Sequence, residues 1–278
     1  MGAVGNRLIC AWQKFRYDIF ESYRLERERR RLAAPRYLSG TDRPRISILL
    51  PTHNRADLLF ERAIPSVLRQ TYENWHLIIA AHGCTDETLS RLTQMLLLEK
   101  VTILDVPRSQ TYPPTAENHW LAGPVVPLNA ALDHVRGEWI ARIDDDDVWT
   151  DDHLEKLMRF ALDGNYEFVS GGLDKGGEKT AVTPYLLGST LVGGTQTWLY
   201  LSYLRFFRFN RHCWRKTRDR VNDVDLQQRM HSAGVRMGYL NEIVAHVAPR
   251  PGETKVGSQA YLENSARHEA HFAFGPSR

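Results

Sequence analysis

Between Arg45 and Ser170, short apolar runs alternate with helical segments, and that alternation restricts the chain to few architectures. Residues 46–50 (Ile46-Ser47-Ile48-Leu49-Leu50), stopped by Pro51, read as a buried strand, as do 75–80, 101–106, 139–143 and 168–170. Between them, Asp57 is placed to cap a helix carrying Leu59, Ala63, Val67 and Leu68, bent at Pro65, which has no N–H to donate. Further helices are predicted over 86–98, 129–135 and 152–162, with Asp151 and Asp152 as caps of the last. His82-Gly83 reads as a turn, 107–127 with its five prolines as a long loop, and Gly171-Gly172 and Gly176-Gly177 as loops. Strands alternating with helices specify α/β architecture, with a mostly parallel central sheet flanked by helices in the Rossmann manner. Such sheets bind ligands beyond the carboxyl ends of their strands.

The flanking regions read differently. Over 6–32, Leu8, Trp12, Phe15, Ile19 and Tyr23 recur at helical spacing, and Pro35 ends the element. Residues 1–45 carry 11 basic against five acidic side chains, an excess of +6 in a chain whose net charge is +3. An apolar face beside a basic run suits packing on the main domain, a partner protein, or an anionic membrane surface. Acids interleave the arginines of Glu26–Arg31, which argues against nucleic acid. Residues 196–209 are rich in aromatics; Trp198, Tyr200 and Tyr203 are core side chains or a sugar platform. Residues 221–232 read as helix, 235–248 as one or two strands, and the polar stretch from Pro249 as a loose tail in which His268 and His271 are exposed. The expected organisation is a basic helical segment (1–43), a catalytic domain (44–250, with halves 44–150 and 151–250) and a tail (251–278). Cys10, Cys84 and Cys213 are odd in number and widely spaced, which disfavours a disulfide framework or zinc ribbon. No apolar run reaches the roughly 18 residues of a spanning helix, and the N-terminus lacks a signal-peptide pattern. The expected location is cytoplasmic, with peripheral attachment to the inner face of the membrane.

The strongest chemical signal is Asp144-Asp145-Asp146-Asp147, four carboxylates fed by the apolar run 139–143. Adjacent carboxylates repel one another and cost stability unless a cation neutralises them. Hard divalent ions such as Mn²⁺ and Mg²⁺ take oxygen ligands, commonly one or two protein carboxylates completed by substrate phosphates. The alternative is a solvated acidic turn. An EF-hand loop starting at Asp144 is excluded, because its sixth position is Trp149 where glycine is required.

Three stretches resemble family 2 glycosyltransferases: Ile48 through Arg55 (Pro51-Thr52-His53-Asn54 at its centre), Ala63 through Tyr72, and Asn74 through Ile79. Gly83-Cys84-Thr85-Asp86 resembles the family's turn, residues 129–147 its acidic-motif stretch, and Asn222-Asp223-Val224-Asp225-Leu226 its second acidic motif. The resemblance implies a GT-A fold and inverting transfer of a sugar from a nucleotide-diphosphate donor. It puts Pro51, Thr52, His53 and Asn54 at the nucleotide, Asp144 and Asp145 at ribose and phosphate, Asp146 at the metal, and Asp223 as catalytic base, with Asp225 as the other candidate. Where the family has two aspartates before the turn glycine, this chain has Ala81 and His82, so His82 falls at the nucleobase. The implied acceptor is a glycan or lipid-linked hydroxyl in surface polysaccharide or glycolipid synthesis.

In chemical terms, a sugar leaving a diphosphate puts negative charge on the departing oxygens, which a metal stabilises. The attacking hydroxyl loses its proton to a positioned carboxylate. Two rivals remain open on sequence. A nucleotidyltransferase also uses acids and metal, but Pro51–Arg55 lacks the expected glycines. A degenerate transferase serving as a scaffold is the other, which Ala81 and His82 keep in view.

Overall fold

The computed structural model describes residues 3–32, 43–97, 99–109, 111–175, 185–215 and 221–273. Pro35 and Gly176-Gly177 lie outside the described residues. Strands β1 (Ile46–Thr52), β2 (Trp75–His82), β3 (Val101–Val106), β4 (Trp139–Arg142), β5 (Asp147–Trp149), β6 (Phe168–Lys175), β9 (Leu199–Leu201) and β10 (Met237–Val247) form an eight-stranded sheet; β7 (Tyr185–Leu187) and β8 (Thr190–Val192) form a separate hairpin. The sheet order is β3-β2-β1-β4-β9-β6-β10-β5. Pairing is parallel except where β9 meets β4 and β6, and where β5 meets β10. This is the mostly parallel, helix-flanked α/β sheet expected from the sequence.

Every residue of β1, β2 and β4 is buried. Their side chains alternate between two cores: Ile46, Ile48, Leu50, Leu77 and Ile79 on one face, Leu49, Ile78, Ala80 and Ile140 on the other. A strand covered on both faces needs apolar residues at successive positions, which is why these strands read as continuous runs. Gly171 and Gly172, expected in a loop, lie inside β6. A Cβ there would meet Val244 Cγ2 at 2.7 Å and the Glu242 carbonyl at 2.8 Å, so close approach to β10 requires glycine.

Several local expectations change in the structure. The segment after β1 consists of α2 (Ala56–Leu58), a π-helical stretch (Leu59–Ala63) and α3 (Ile64–Leu68). The Ile64 N–H reaches the Leu59 carbonyl, a π-type closure that opens the helix just before Pro65. Asp57 does not cap it; its carboxylate accepts from Arg91 at 2.9 Å. After α4 (Thr88–Thr93), the proline-rich stretch read as loop carries α5 (Ala116–Ala122) and the start of α6 (Val125–Asp133). Thr115 caps α5 by accepting from the Asn118 N–H at 3.3 Å. Pro124 and Pro127 sit at the start of α6, where no helical N–H is needed. Asp152 stands at the N-cap of α7 (His153–Asp163) without a capping bond, its oxygens taken by Thr150 and Lys156, while Asp151 pairs with Arg69.

The N-terminal helix α1 (Ala3–Leu32) packs on α8 (Asn222–Ala233), but through the side opposite its apolar stripe. Leu25 and Glu21 are buried there. Arg229 forms a short bond to Glu21 and stacks over Tyr17 at 4.4 Å, and Arg29 donates to the Gly234 carbonyl at 2.8 Å. These pairs make α1 run in the same direction as α8. Leu8, Trp12, Phe15, Ile19 and Tyr23 are 50–69% exposed. Trp198 and Tyr200 are core side chains, and the Tyr203 hydroxyl is bonded to Glu167, so none serves as a platform. The stretch read as a loose tail folds into α9 (Ser258–Glu263) and α10 (Ser265–His271), which pack on α5. His268 is buried rather than exposed, against Glu253 at 3.0 Å and the Tyr261 ring at 4.0 Å. No described helix is long and apolar enough to cross a membrane.

Candidate active site

A cleft of about 420 Å³ opens at the carboxyl ends of β1, β2 and β4. Pro51, Thr52, His53, His82, the four aspartates 144–147 and Asp223 all line it. His53 and Asp223, 170 positions apart in sequence, therefore line the same cleft. Asn54 does not line this cleft. With φ 49°, it turns its amide toward the next loop, accepting from the Thr85 N–H at 2.7 Å.

Asp144, Asp145 and Asp146 lie between β4 and β5, and Asp147 begins β5; the turn is closed by the Asp147 N–H to the Asp144 carbonyl at 3.3 Å. Each meets a different environment. Asp144 accepts from Arg142 at 2.9 Å. Asp145 is buried, with one oxygen on the Thr52 hydroxyl and the other on Arg55, both at 2.9 Å. Burial raises the Asp145 pKa, against the pull of Arg55. Asp146 would be raised by burial too, but Arg250 at 2.6 Å and Arg55 at 3.7 Å outweigh it, and its pKa falls. Asp147 is 2% exposed, and its Oδ2 has no hydrogen-bond partner. Burial and the neighbouring Asp146 and Asp144 push its pKa well above the usual carboxylate range.

Asp223 lies in the first turn of α8, with Val221 rather than Asp223 at the N-cap. Its Oδ1 accepts from the Val224 N–H at 2.8 Å. Burial raises its pKa and Arg142 opposes that rise. Asp225 points elsewhere: it is 1% exposed and accepts from Arg229 Nε at 2.9 Å, within the contact between α8 and α1.

The β2 end is made of rings. His53 Nδ1 bonds the His82 carbonyl at 2.6 Å, and His82 Nε2 faces the Ser109 hydroxyl at 3.3 Å. Burial brings the His82 pKa down to about 4, leaving a neutral imidazole at the position that the resemblance sets at the nucleobase. Phe272, just beyond α10, stacks on His53 at 5.5 Å and on His119 at 4.7 Å. Sequence reasoning missed Arg55, Arg142, Arg250, His119, Tyr261 and Phe272. A cation beside the acid quartet was required by charge balance, yet nothing in the sequence said which arginines supply it.

A divalent ion suits part of this donor set. The oxygens are hard, and Asp147 Oδ2 is a buried acceptor with no partner. No group of three or more His, Cys, Asp or Glu is arranged to hold a metal among the described residues. An ion held here would therefore take most of its ligands from a bound substrate rather than from protein side chains.

A family model described as Glycosyl transferase family 2 matches residues 47–231. The putative glycosyltransferase EpsE of Bacillus subtilis is 30% identical over 235 residues, 80% of each chain. The putative colanic acid biosynthesis glycosyl transferase WcaA of Escherichia coli K12 is 42% identical over 115 residues, 41% of this chain and 37% of that one. The chain spans between 37% and 48% of the length of four of the curated relatives it matches. Among solved structures, Staphylococcus aureus TarS 1-349 in complex with UDP superposes with a TM-score of 0.57 at 14% identity, covering 84% of this chain and 67% of that one. The mannosyltransferase PcManGT of Pyrobaculum calidifontis, in complex with GDP-Man and Mn²⁺, gives 0.55 at 18% identity, covering 89% and 69%. At such identities the likeness concerns the fold, which is GT-A.

Proposed function

Because this chain belongs to glycosyl transferase family 2, we propose that it transfers a sugar, with inversion, from a nucleotide-diphosphate donor to an acceptor hydroxyl. The observation that carries this reading is that Asp223 and the aspartate quartet, distant in sequence, line one cleft at the strand ends. In this reading Pro51, Thr52, His53 and His82 receive the nucleotide, with Asn54 shaping the loop beside them. Asp144 and Asp145 face ribose and phosphate, Thr52 and Arg55 holding Asp145 in place. Asp146 holds Mn²⁺ or Mg²⁺, which when bound supplies positive charge for the departing diphosphate. Asp223 takes the proton of the attacking hydroxyl. Asp225, fixed by Arg229, is unavailable for that task. Slow hydrolysis of a panel of nucleotide sugars by the purified protein, with and without Mn²⁺, tests the reading. One donor is expected to be consumed by the wild type and none by Asp146→Ala; equal hydrolysis by both proteins removes Asp146 from the chemistry.

The acceptor in this reading is a glycan or a lipid-linked sugar in polysaccharide or glycolipid synthesis. One relative, a UDP-Glc:alpha-D-GlcNAc-diphosphoundecaprenol beta-1,3-glucosyltransferase of Escherichia coli that is 28% identical over 129 residues, is named for a lipid-linked acceptor. The exposed stripe Leu8–Trp12–Phe15–Ile19–Tyr23 supports peripheral docking on the inner, anionic face of the membrane, with Arg16, Arg27, Arg30 and Arg31 on the same helix for the headgroups. Because α1 runs with α8, the apolar half of α1 lies toward the end of α8 that bears Asp223. Flotation with vesicles containing acidic lipid tests this. The triple variant Trp12→Glu, Phe15→Glu, Ile19→Glu leaves the packed side of α1 intact and is expected to stay in the unbound fraction. Equal flotation of variant and wild type rules the docking out.

A further inference from the structure

Arg250 follows β10 between two prolines and lines the cleft beside the quartet, since Val247 of β10 pairs with Asp147 of β5. Its Nε donates to Asp146 Oδ2 at 2.6 Å, its Nη1 to Glu253 at 3.2 Å, and its guanidinium lies over the Tyr261 ring at 4.9 Å. Arg55 stands 3.7 Å from the same Asp146 oxygen. Arg62 ties the two backbone segments together, donating to the carbonyls of Asp146, Ala248 and Pro249 at 3.1–3.2 Å. With those backbones fixed to one another, the side chain of Arg250 is the part free to change partners.

This arrangement has a consequence for ion entry. A guanidinium and a divalent ion compete for the same carboxylate oxygen, and an ion arriving alone meets two positive side chains. A diphosphate arriving with the ion reverses the balance: it brings negative charge and oxygens that a guanidinium fork receives in pairs. We propose that Arg250 is a diphosphate-binding residue, held on Asp146 in the free protein and handed to the donor, so that ion and nucleotide each bind more tightly in the presence of the other. This rests on the reading of Asp146 as the residue that holds the ion. Arg250 acts on the leaving group through that contact. Glu253, itself bonded to His268, keeps the Arg250 guanidinium near the cleft throughout the exchange.

The test is Mn²⁺ binding to the full chain, followed by electron paramagnetic resonance, alone and with UDP or GDP. Wild type, Arg250→Met, Arg250→Lys and Asp146→Asn are compared, with thermal unfolding confirming that each is folded. The wild type is expected to take Mn²⁺ at least about tenfold more tightly with one of the nucleotides than without. Arg250→Met is expected to take bare Mn²⁺ about tenfold more tightly than wild type and to lose most of the nucleotide's effect. Arg250→Lys, which keeps the charge and loses the fork, falls between. Ion and nucleotide affinities unchanged in Arg250→Met, with binding abolished in Asp146→Asn, overturn the exchange and leave the reading of Asp146 standing. Absence of Mn²⁺ binding in every protein and condition removes both. Loss of nucleotide affinity in Arg250→Met without any gain in bare Mn²⁺ binding also overturns the exchange.

Discussion

Asp223→Asn is expected to lower the rate of sugar transfer about 10²–10⁴-fold while leaving the donor's apparent affinity within a few-fold. The substitution keeps the size and the hydrogen bond to the Val224 N–H, so α8 starts as before. What it removes is the group proposed to accept the proton. The wild-type pH profile carries a second signature. Burial raises the Asp223 pKa, only partly opposed by Arg142. A base works ionised, so the rate is expected to fall as pH drops through that pKa, with the acid limb above the value of about 3.9 for a free aspartate. The limb is expected to disappear in Asp223→Asn. Asp225→Asn is the contrast: it breaks the pair with Arg229 and is expected to act on stability. A loss of transfer in Asp225→Asn at full stability, with Asp223→Asn active, would exchange the two assignments.

Arg229→Met is expected to destabilise the fold by about 3–5 kcal/mol, read as a shift in the denaturation midpoint at unchanged slope. The Arg229 side chain is 1% exposed and joins Asp225 on its own helix to Glu21 on α1, whose side chains are 2% and 11% exposed. Removing the cation takes from two buried carboxylates the counter-charge that Arg229 supplies, which costs far more than the pair contributes when intact. The same side chain stacks on Tyr17 and donates to the Arg208 carbonyl, so its loss weakens the hold of α1 on the domain, which Arg29 still anchors. A loss below about 1 kcal/mol, as for an exposed ion pair, would mean that α1 is not held through this contact.

How much of this was legible in the sequence depends on where each signal lay. Strands β1, β2 and β4 were readable because burial on both faces forces apolar residues at successive positions. The acid quartet was readable because four carboxylates next to such a run demand an explanation. The three-residue strand β9 was not, since it sits among aromatics whose antiparallel pairing with β4 and β6 is a tertiary matter. On α1 the most apolar stripe faces outward, and the packed side carries Glu21 and Arg29. Its attraction depends on Arg229 and Glu167, 208 and 138 positions away, and no local pattern reports partners that remote. Helices α9 and α10, of six and seven residues, carry no apolar periodicity of their own. They are held by the rings of Tyr261, His268 and Phe272 against His53 and His119. The cleft was thus half visible: its acids were marked by sequence, while the arginines and rings that complete it are gathered by the fold.

The central claim is that Asp146 holds a divalent ion against a nucleotide diphosphate in the cleft at the strand ends. Calorimetric titration of the nucleotide-sugar panel into wild-type protein and Asp146→Ala, each with Mn²⁺, tests it most directly. The expected result is saturable binding of at least one donor to the wild type, lost in the variant and lost again when Mn²⁺ is chelated. A folded wild type that binds no donor, or an Asp146→Ala protein that binds the same donor equally well, would contradict it.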